Sequence, residues 1–305
     1  MSFDLYFAGA KQKDADNYLL EEGANRLQSQ LFERSNILNW VNNKQSSSKL
    51  FIDSGAYTAY TKQVNLDVDE YIDFINSITD RITIFAQVDK IPGEFRKPKT
   101  REQILEAPKL SWNNYLYMRQ KVKQPEKLVP IFHQGEDYKW LINMLEWTDE
   151  NGEHIPYIGI SPAVDVPGIE VFLDRSFDII KQSSNPNVKT HAFGMTRLDL
   201  LEIYPYTSAD STSWKLAGAM GSIYTPYGTI YVSKYKKNDV KYIKNQSLDA
   251  YNNLCKYIED LGFTFDEVAN SDVARYICNI KYLLNWVKNY KFKGKNSYQN
   301  KLFDI

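Results

Sequence analysis

The chain has 305 residues, with 37 Lys+Arg against 38 Asp+Glu, 43% hydrophobic and 25% charged residues. That balance excludes a disordered, collagen-like or disulfide-stapled chain and indicates a soluble globular fold of one large or two smaller domains. The opening MSFDLYFAGAKQK places no basic segment before a long apolar run, and no uninterrupted apolar stretch of ~18 residues follows, so a cytoplasmic protein without a membrane span is expected.

Short apolar runs recur along the chain, each ending in small or polar residues: LYFAGA (5–10), KLFIDSGAY (49–57), ITIFAQVDK (82–90), LVPIFHQGE (128–136), YIGISPA (157–163), THAFGMT (190–196) and YTSADSTSW (206–214). Helical patterns such as VDEYIDFINSIT, WNNYLYMRQKV, YKWLINMLEWT and IEVFLDRSFDIIKQ lie between them, with apolar residues at three and four spacing. Nearly continuous apolar strands joined by helices indicate buried parallel strands, and seven or more of them favour an α/β fold of the (β/α)8 TIM-barrel type. A doubly wound sheet stays as the alternative, because an eighth strand is not evident. No GxGxxG or GxxxxGK[ST] follows any strand to support nucleotide binding of that kind.

After Trp214 the pattern changes. GSIYTPYGTIYVSKY reads as a β-hairpin around Tyr227 and Gly228, followed by a helix ending at Gly262 and a last helix in DVARYICNIKYLLNWVKNY. The expectation is one barrel domain over 1–305, with 218–305 as hairpin plus closing helices. Cys255 and Cys278 have no CxxC or clustered His beside them, so they read as packing residues and no metal site is expected. Charge is unevenly spread: residues 231–301 hold 13 Lys+Arg and 7 Asp+Glu, interleaved with aromatics. Two readings of that stretch stand, a solvated lysine-rich face and a surface for phosphate contacts and base stacking.

In a parallel barrel the chemistry collects at the carboxyl ends of the strands. The runs end there in Asp53-Ser54-Gly55-Ala56-Tyr57, Gln87-Val88-Asp89, His133-Gln134-Gly135-Glu136, Gly159-Ile160-Ser161, Phe193-Gly194-Met195 and Asp210-Ser211-Thr212-Ser213. Converging, they would supply carboxylates, an amide, glycines that admit a flat ligand, and aromatic walls from Tyr57 and Phe193. Taken singly, Asp53 or Asp210 reads equally well as the N-cap of the next helix. His133 and His191 read as hydrogen-bonded structural histidines, since no third residue has metal-ligand spacing, and His154 as exposed. Two carboxylates facing across a pocket suit chemistry at an anomeric carbon, and the amide and aromatics suit a glycosidic bond to a planar heterocycle.

In order and spacing these motifs resemble the tRNA-guanine transglycosylase superfamily, from about Lys49 to Tyr290. The family's DSGGF motif is matched by Asp53-Ser54-Gly55-Ala56-Tyr57, its next strand-end aspartate by Asp89 and its glutamine-glycine motif by Gln134-Gly135. Its glycine-rich fifth strand end is matched by Tyr157-Ile158-Gly159-Ile160, its hydrophobic-Met-Gly strand end by Ala192-Phe193-Gly194, its nucleophilic aspartate by Asp210, and its terminal helix by VARYICNIKYLLNWVKNY. The resemblance implies that Asp210 attacks C1′ to form a glycosyl-aspartate and that Asp53 handles the protons of the leaving and entering bases. Asp89, Gln134 and the backbone near Gly159 would hydrogen-bond the polar edge of the base, Tyr57 and Phe193 would cover its faces, and Ser54 and Gly194 would complete the base-binding set. It implies no cofactor.

The chain departs from the tRNA-acting members in lacking their CxCxxC-plus-His zinc site. In that it looks more like the DpdA-like branch, found in phages and mobile islands, which exchanges guanine in DNA for a 7-deazaguanine. The expected partners are therefore DNA, or tRNA, and a free 7-deazaguanine base. Lys234, Lys236, Lys237, Lys241 and Lys244, which follow the seventh strand's active-site end, are expected to contact the polynucleotide. A zinc-less tRNA transglycosylase and a non-catalytic nucleic-acid-binding barrel are the competing expectations. A glycoside hydrolase is more distant, for want of a Glu pair at the strand ends.

Overall fold

The computed structural model describes residues 3–9, 13–163, 167–195 and 197–295. Strands β1 (Asp4–Ala8), β2 (Asn25–Ser29), β3 (Leu50–Asp53), β4 (Ile84–Ala86), β5 (Leu128–Val129), β6 (Ile131–His133), β7 (Tyr157–Ser161), β8 (Lys189–Ala192) and β9 (Ser208–Ser211) form one sheet in the order β5-β4-β3-β2-β1-β9-β8-β7-β6. The two ends of that order, β5 and β6, are one strand interrupted at Pro130, which has no N–H to give to a ladder. The Pro130 carbonyl still accepts the Gly159 N–H at 2.7 Å, while β5 pairs with β4 and β6 with β7. The sheet thereby forms a TIM-like (β/α)8 barrel of eight parallel staves.

Helices α1 (Lys13–Glu21), α2 (Gln30–Asn43), α3 (Ala56–Lys62), α4 (Val68–Ile78), α5 (Arg101–Lys121), α6 (Lys139–Glu146), α7 (Ile169–Gln182) and α8 (Leu198–Ile203) alternate with the strands. Local chemistry sets several starts. Asp67 caps α4 through the N–H groups of Asp69 and Glu70, and Thr100 with Gln103 forms a capping box on α5. Tyr71 of α4 reaches back under the sheet, where its hydroxyl lies 3.2 Å from the Ile52 carbonyl and 3.0 Å from that of Ala86. It fixes the ends of β3 and β4, directly below the residues that carry Asp53 and Asp89.

The stave that the apolar runs did not announce is β2. Its sequence, NRLQS, contains two residues that the pleat turns away from the barrel interior yet which are fully buried, Arg26 and Gln28. The Arg26 guanidinium lies over the Trp40 ring of α2, 5.3 Å from its centroid. Polar residues facing buried aromatic surface remove the apolar signature on which the sequence reading depends.

By backbone contacts the chain divides into two compact units. The first comprises Asn25–Asp210 with the residues up to Tyr6 and those from Lys291 onward; the second comprises Phe7–Ala24 and Ser211–Tyr290. The second unit contains α1 and α9 (Ser213–Ala219), the hairpin β10 (Ser222–Thr225) and β11 (Gly228–Tyr231), then α10 (Leu248–Asp260), α11 (Phe265–Asn270) and α12 (Asp272–Lys288). Its core gathers Ile223, Val232, Leu254, Ile258, Val268 and Cys278. Asn279 of α12 ties it together by accepting the Tyr224 N–H at 2.7 Å and donating to the Trp214 carbonyl at 2.9 Å, and the buried Arg275 donates to the carbonyls of Gly218 and Val268. Cys255 and Cys278 are free thiols, and burial pushes that of Cys278 up to about 12.

Candidate active site

Strand pairing sets which residues look inward. Phe51 of β3 touches Tyr6 of β1 and His191 of β8 edge to face, so Phe51 and, two residues on, Asp53 face the barrel interior. The register carries the same inward face around the sheet: His133 pairs with Ser161, Gly159 with His191, and His191 with Ser208, two residues before Asp210. Asp53 and Asp210 therefore stand at the carboxyl ends of their strands on the interior face. Asp89, just beyond β4, is joined to them electrostatically, because its charge and that of Asp210 both act on Asp53.

The three carboxylates have different surroundings. Asp210, 7% exposed, receives two hydrogen bonds on one oxygen: the Gly194 N–H donates to Oδ1 at 2.8 Å, and His191 Nε2 lies 3.2 Å from the same atom. His191 is wholly buried, and burial holds it neutral against the pull of Asp210. An ionised carboxylate only accepts, so the His191 proton sits on Nε2. Nδ1 then accepts from Ser208 Oγ at 2.6 Å, and Ser208 accepts from the Tyr157 hydroxyl at 2.7 Å. Both donors meet Oδ1, and among the described residues none donates to Asp210 Oδ2.

Asp53 has little help. The Gly55 N–H donates to Oδ2 at 3.0 Å, but burial, reinforced by the facing charges of Asp210 and Asp89, pushes its carboxyl up to about 7. The turn that makes this bond needs glycine. Gly55 has φ +86, and a Cβ there would come within 2.6 Å of Ser29 Oγ and 2.7 Å of Leu31 Cβ. Asp89 is held on both oxygens, by the Gln87 amide and by His133 Nε2 at 3.3 Å. His133 in turn lies 3.1 Å through Nδ1 from Glu136. Burial works against its charge, but the two flanking carboxylates outweigh it and raise His133 to about 10, so an imidazolium bridges Asp89 and Glu136.

Of the remaining expected residues, Phe193 closes the floor, its ring packed 4.5 Å from that of His191 and 5.5 Å from Phe51. Gly159 lies beneath that ring, where a Cβ would come within 2.5 Å of Phe193 Cε2. Its missing side chain makes room for Phe193, and its N–H is used in the sheet. Ser54 is buried, with its hydroxyl accepting the Ala56 N–H at 3.4 Å. Tyr57 is 69% exposed on the first turn of α3. Gln134 turns its amide to the segment after β7, accepting the Ala163 N–H at 3.1 Å and donating to the Pro167 carbonyl at 3.2 Å. His154 is half-buried, its Nδ1 lying 3.1 Å from the Trp147 carbonyl.

The five expected polynucleotide lysines belong to the second unit. Lys236 is half-buried over the Tyr231 ring, and Lys234, Lys237, Lys241 and Lys244 are exposed. Comparison of the chain with models of known protein families and with curated proteins found no match. Among the described residues no group of three or more His, Cys, Asp or Glu side chains is arranged to hold a metal ion, and no helix is long and apolar enough to cross a membrane.

Proposed function

We propose that the chain is a pentosyltransferase of the base-exchanging kind, replacing guanine in a polynucleotide, DNA in preference to tRNA, with a free 7-deazaguanine. The observation that carries this reading is the division of labour among carboxylates at the barrel mouth. Asp210 is fixed on one oxygen by two donors, and Asp53 is pushed to about 7. Environments that drive two nearby carboxyls apart suit one to attack and the other to move a proton near neutral pH.

In this reading Asp210 Oδ2 attacks C1′ of the target nucleoside. The bond from C1′ to the base nitrogen breaks, its electron pair stays on the departing guanine, and protonated Asp53 supplies the proton the base needs. Asp53, now a carboxylate, takes the ring N–H proton of the incoming deazaguanine as that nitrogen forms its bond to C1′ and releases Asp210. The glycosidic bond is exchanged for one of the same kind, so no energy-rich nucleotide enters the balance. In the same reading Asp89, held by Gln87 and His133, accepts from the amino and imino groups of a guanine-like edge.

The test is mass spectrometry of nucleosides from DNA and from tRNA, each incubated separately with the protein and candidate 7-deazaguanines. A 7-deazaguanosine in the DNA digest supports the reading. Its appearance in tRNA alone transfers the activity to the tRNA alternative, and its absence from both, with binding intact, leaves a non-catalytic barrel.

A further inference from the structure

We infer that the loops after β2, β3 and β4 form a polynucleotide track that delivers the target nucleotide to Asp53 and Asp89. Residues 90–101, KIPGEFRKPKTR, hold five cations and one carboxylate, in a chain whose overall charge is -1. That carboxylate, Glu94, is already paired with Lys97. Among the described residues no ion-pair partner faces Lys62, Lys90, Arg96, Lys99 or Arg101, all of which are exposed. Uncompensated cations at this density favour a polyanion, whose phosphates neutralise them.

Aromatic rings join the three loops into one surface. Lys62, at the end of α3, lies 4.0 Å over the ring of Phe32, which is 47% exposed at the start of α2. Tyr60 of α3 meets Phe95 of the next loop edge to face at 5.8 Å, with Lys99 over Tyr60 and Arg96 over Phe95. Tyr57 projects from the same turn that carries Asp53. Cations interleaved with aromatic rings are what a sugar-phosphate backbone with unstacked bases engages.

The tip of the loop is held rather than loose. Arg96 adopts φ +62, a left-handed conformation that an arginine takes only at a cost, while the Lys97 N–H bonds the Glu94 carbonyl at 3.1 Å. All of these residues lie in the unit that contains the carboxylates, at the carboxyl ends of neighbouring strands. A base at the pocket has to leave its stack, and contacts along this track would compensate for the lost stacking.

This inference rests on the exchange reading for its substrate, DNA, and the experiment separates the two. Binding of a short single-stranded deoxyoligonucleotide and of its duplex is measured against salt for the wild type and for the triple variant Arg96→Ala, Lys99→Ala, Arg101→Ala. The track predicts that the slope of log K on log salt falls by about two units for the single strand and nearly three for the duplex. Tyr57→Ala should weaken the single strand roughly five- to hundredfold, read also as loss of quenching of a fluorescent base analogue. A slope left intact in the triple variant overturns the track even if the wild type exchanges bases. A flattened slope in a protein that exchanges nothing upholds the track and removes the exchange reading. Arg96→Lys, which keeps the charge, should retain the slope, and its loss there would count against a charge-based track.

Discussion

Two partly buried carboxylates at opposite ends of the barrel, Asp4 and Asp53, are handled in opposite ways. At the amino end Asp4 is compensated by Lys49 at 2.6 Å and by the Asn25 amide at 3.3 Å, whose own carbonyl oxygen accepts the Lys49 N–H. At the carboxyl end Asp53 has one backbone N–H and two further carboxylates acting on it. Asp4 is thereby paired with residues of the neighbouring strand segments, whereas Asp53 is left costly. Asp89 at that same end is held by the Gln87 amide and by His133, so the cost is confined to Asp53, the kind of environment in which a proton-moving carboxyl is to be sought.

The comparison breaks most severely at Asp210. Asp210→Asn keeps the shape and removes the proposed nucleophile, so exchange should fall by about four orders of magnitude or more with the unfolding midpoint little changed. Turnover within tenfold of wild type would remove Asp210 from the attacking role.

Asp53→Asn comes next, with a fall of about two to four orders of magnitude and loss of the limb near pH 7 in the rate profile. Its stability effect has a definite sign. The folded carboxyl is raised to about 7 from an ordinary value near 4, so its stabilisation is complete below about pH 4 and lost as pH rises through 7. Asp53→Asn should therefore gain stability relative to wild type between pH 5 and 8 in denaturant unfolding. A constant difference across that range would mean that Asp53 is not strained.

A smaller effect is expected at His133. His133→Gln removes the cation between Asp89 and Glu136, and with the ring about a third exposed the loss should be near 1–2 kcal/mol. Because its folded pKa is raised to about 10, its stabilisation is complete below about pH 6.5 and disappears as pH climbs through 10. The variant's alkaline stability profile should be correspondingly flatter. The smallest effect belongs to the other end: Lys49→Met should cost about 1 kcal/mol and leave exchange kinetics unchanged. A kinetic effect there comparable to that of Asp53→Asn would erase the contrast.

Legibility in the sequence followed burial chemistry. Seven staves stood out because their outward faces are apolar, as in LFID and YIGIS, and the strand-end aspartates were exposed by that same punctuation. β2 stayed hidden because Arg26 and Gln28 occupy its outward face. The hydrogen-bonded chain behind Asp210 also left no local signal, since Tyr157 and Ser208 are 51 residues apart and Ser208 and His191 are 17 apart. Only the pairing of β7 with β8 and of β8 with β9 makes them neighbours. The direction of a side chain is likewise set by what its loop needs: nothing in the motif around Gln134 signals that its amide bonds the Ala163 N–H and the Pro167 carbonyl.

The central claim is that Asp210 becomes covalently attached to the sugar. Incubating the protein with a guanine-containing oligonucleotide, stalling the exchange with an incoming base that cannot complete it, denaturing, and mapping the cross-linked peptide tests this directly. The account predicts a denaturant-resistant adduct in the peptide containing Asp210, absent from Asp210→Asn. An adduct on any other residue, or base exchange that proceeds with no adduct at any stage, would contradict it.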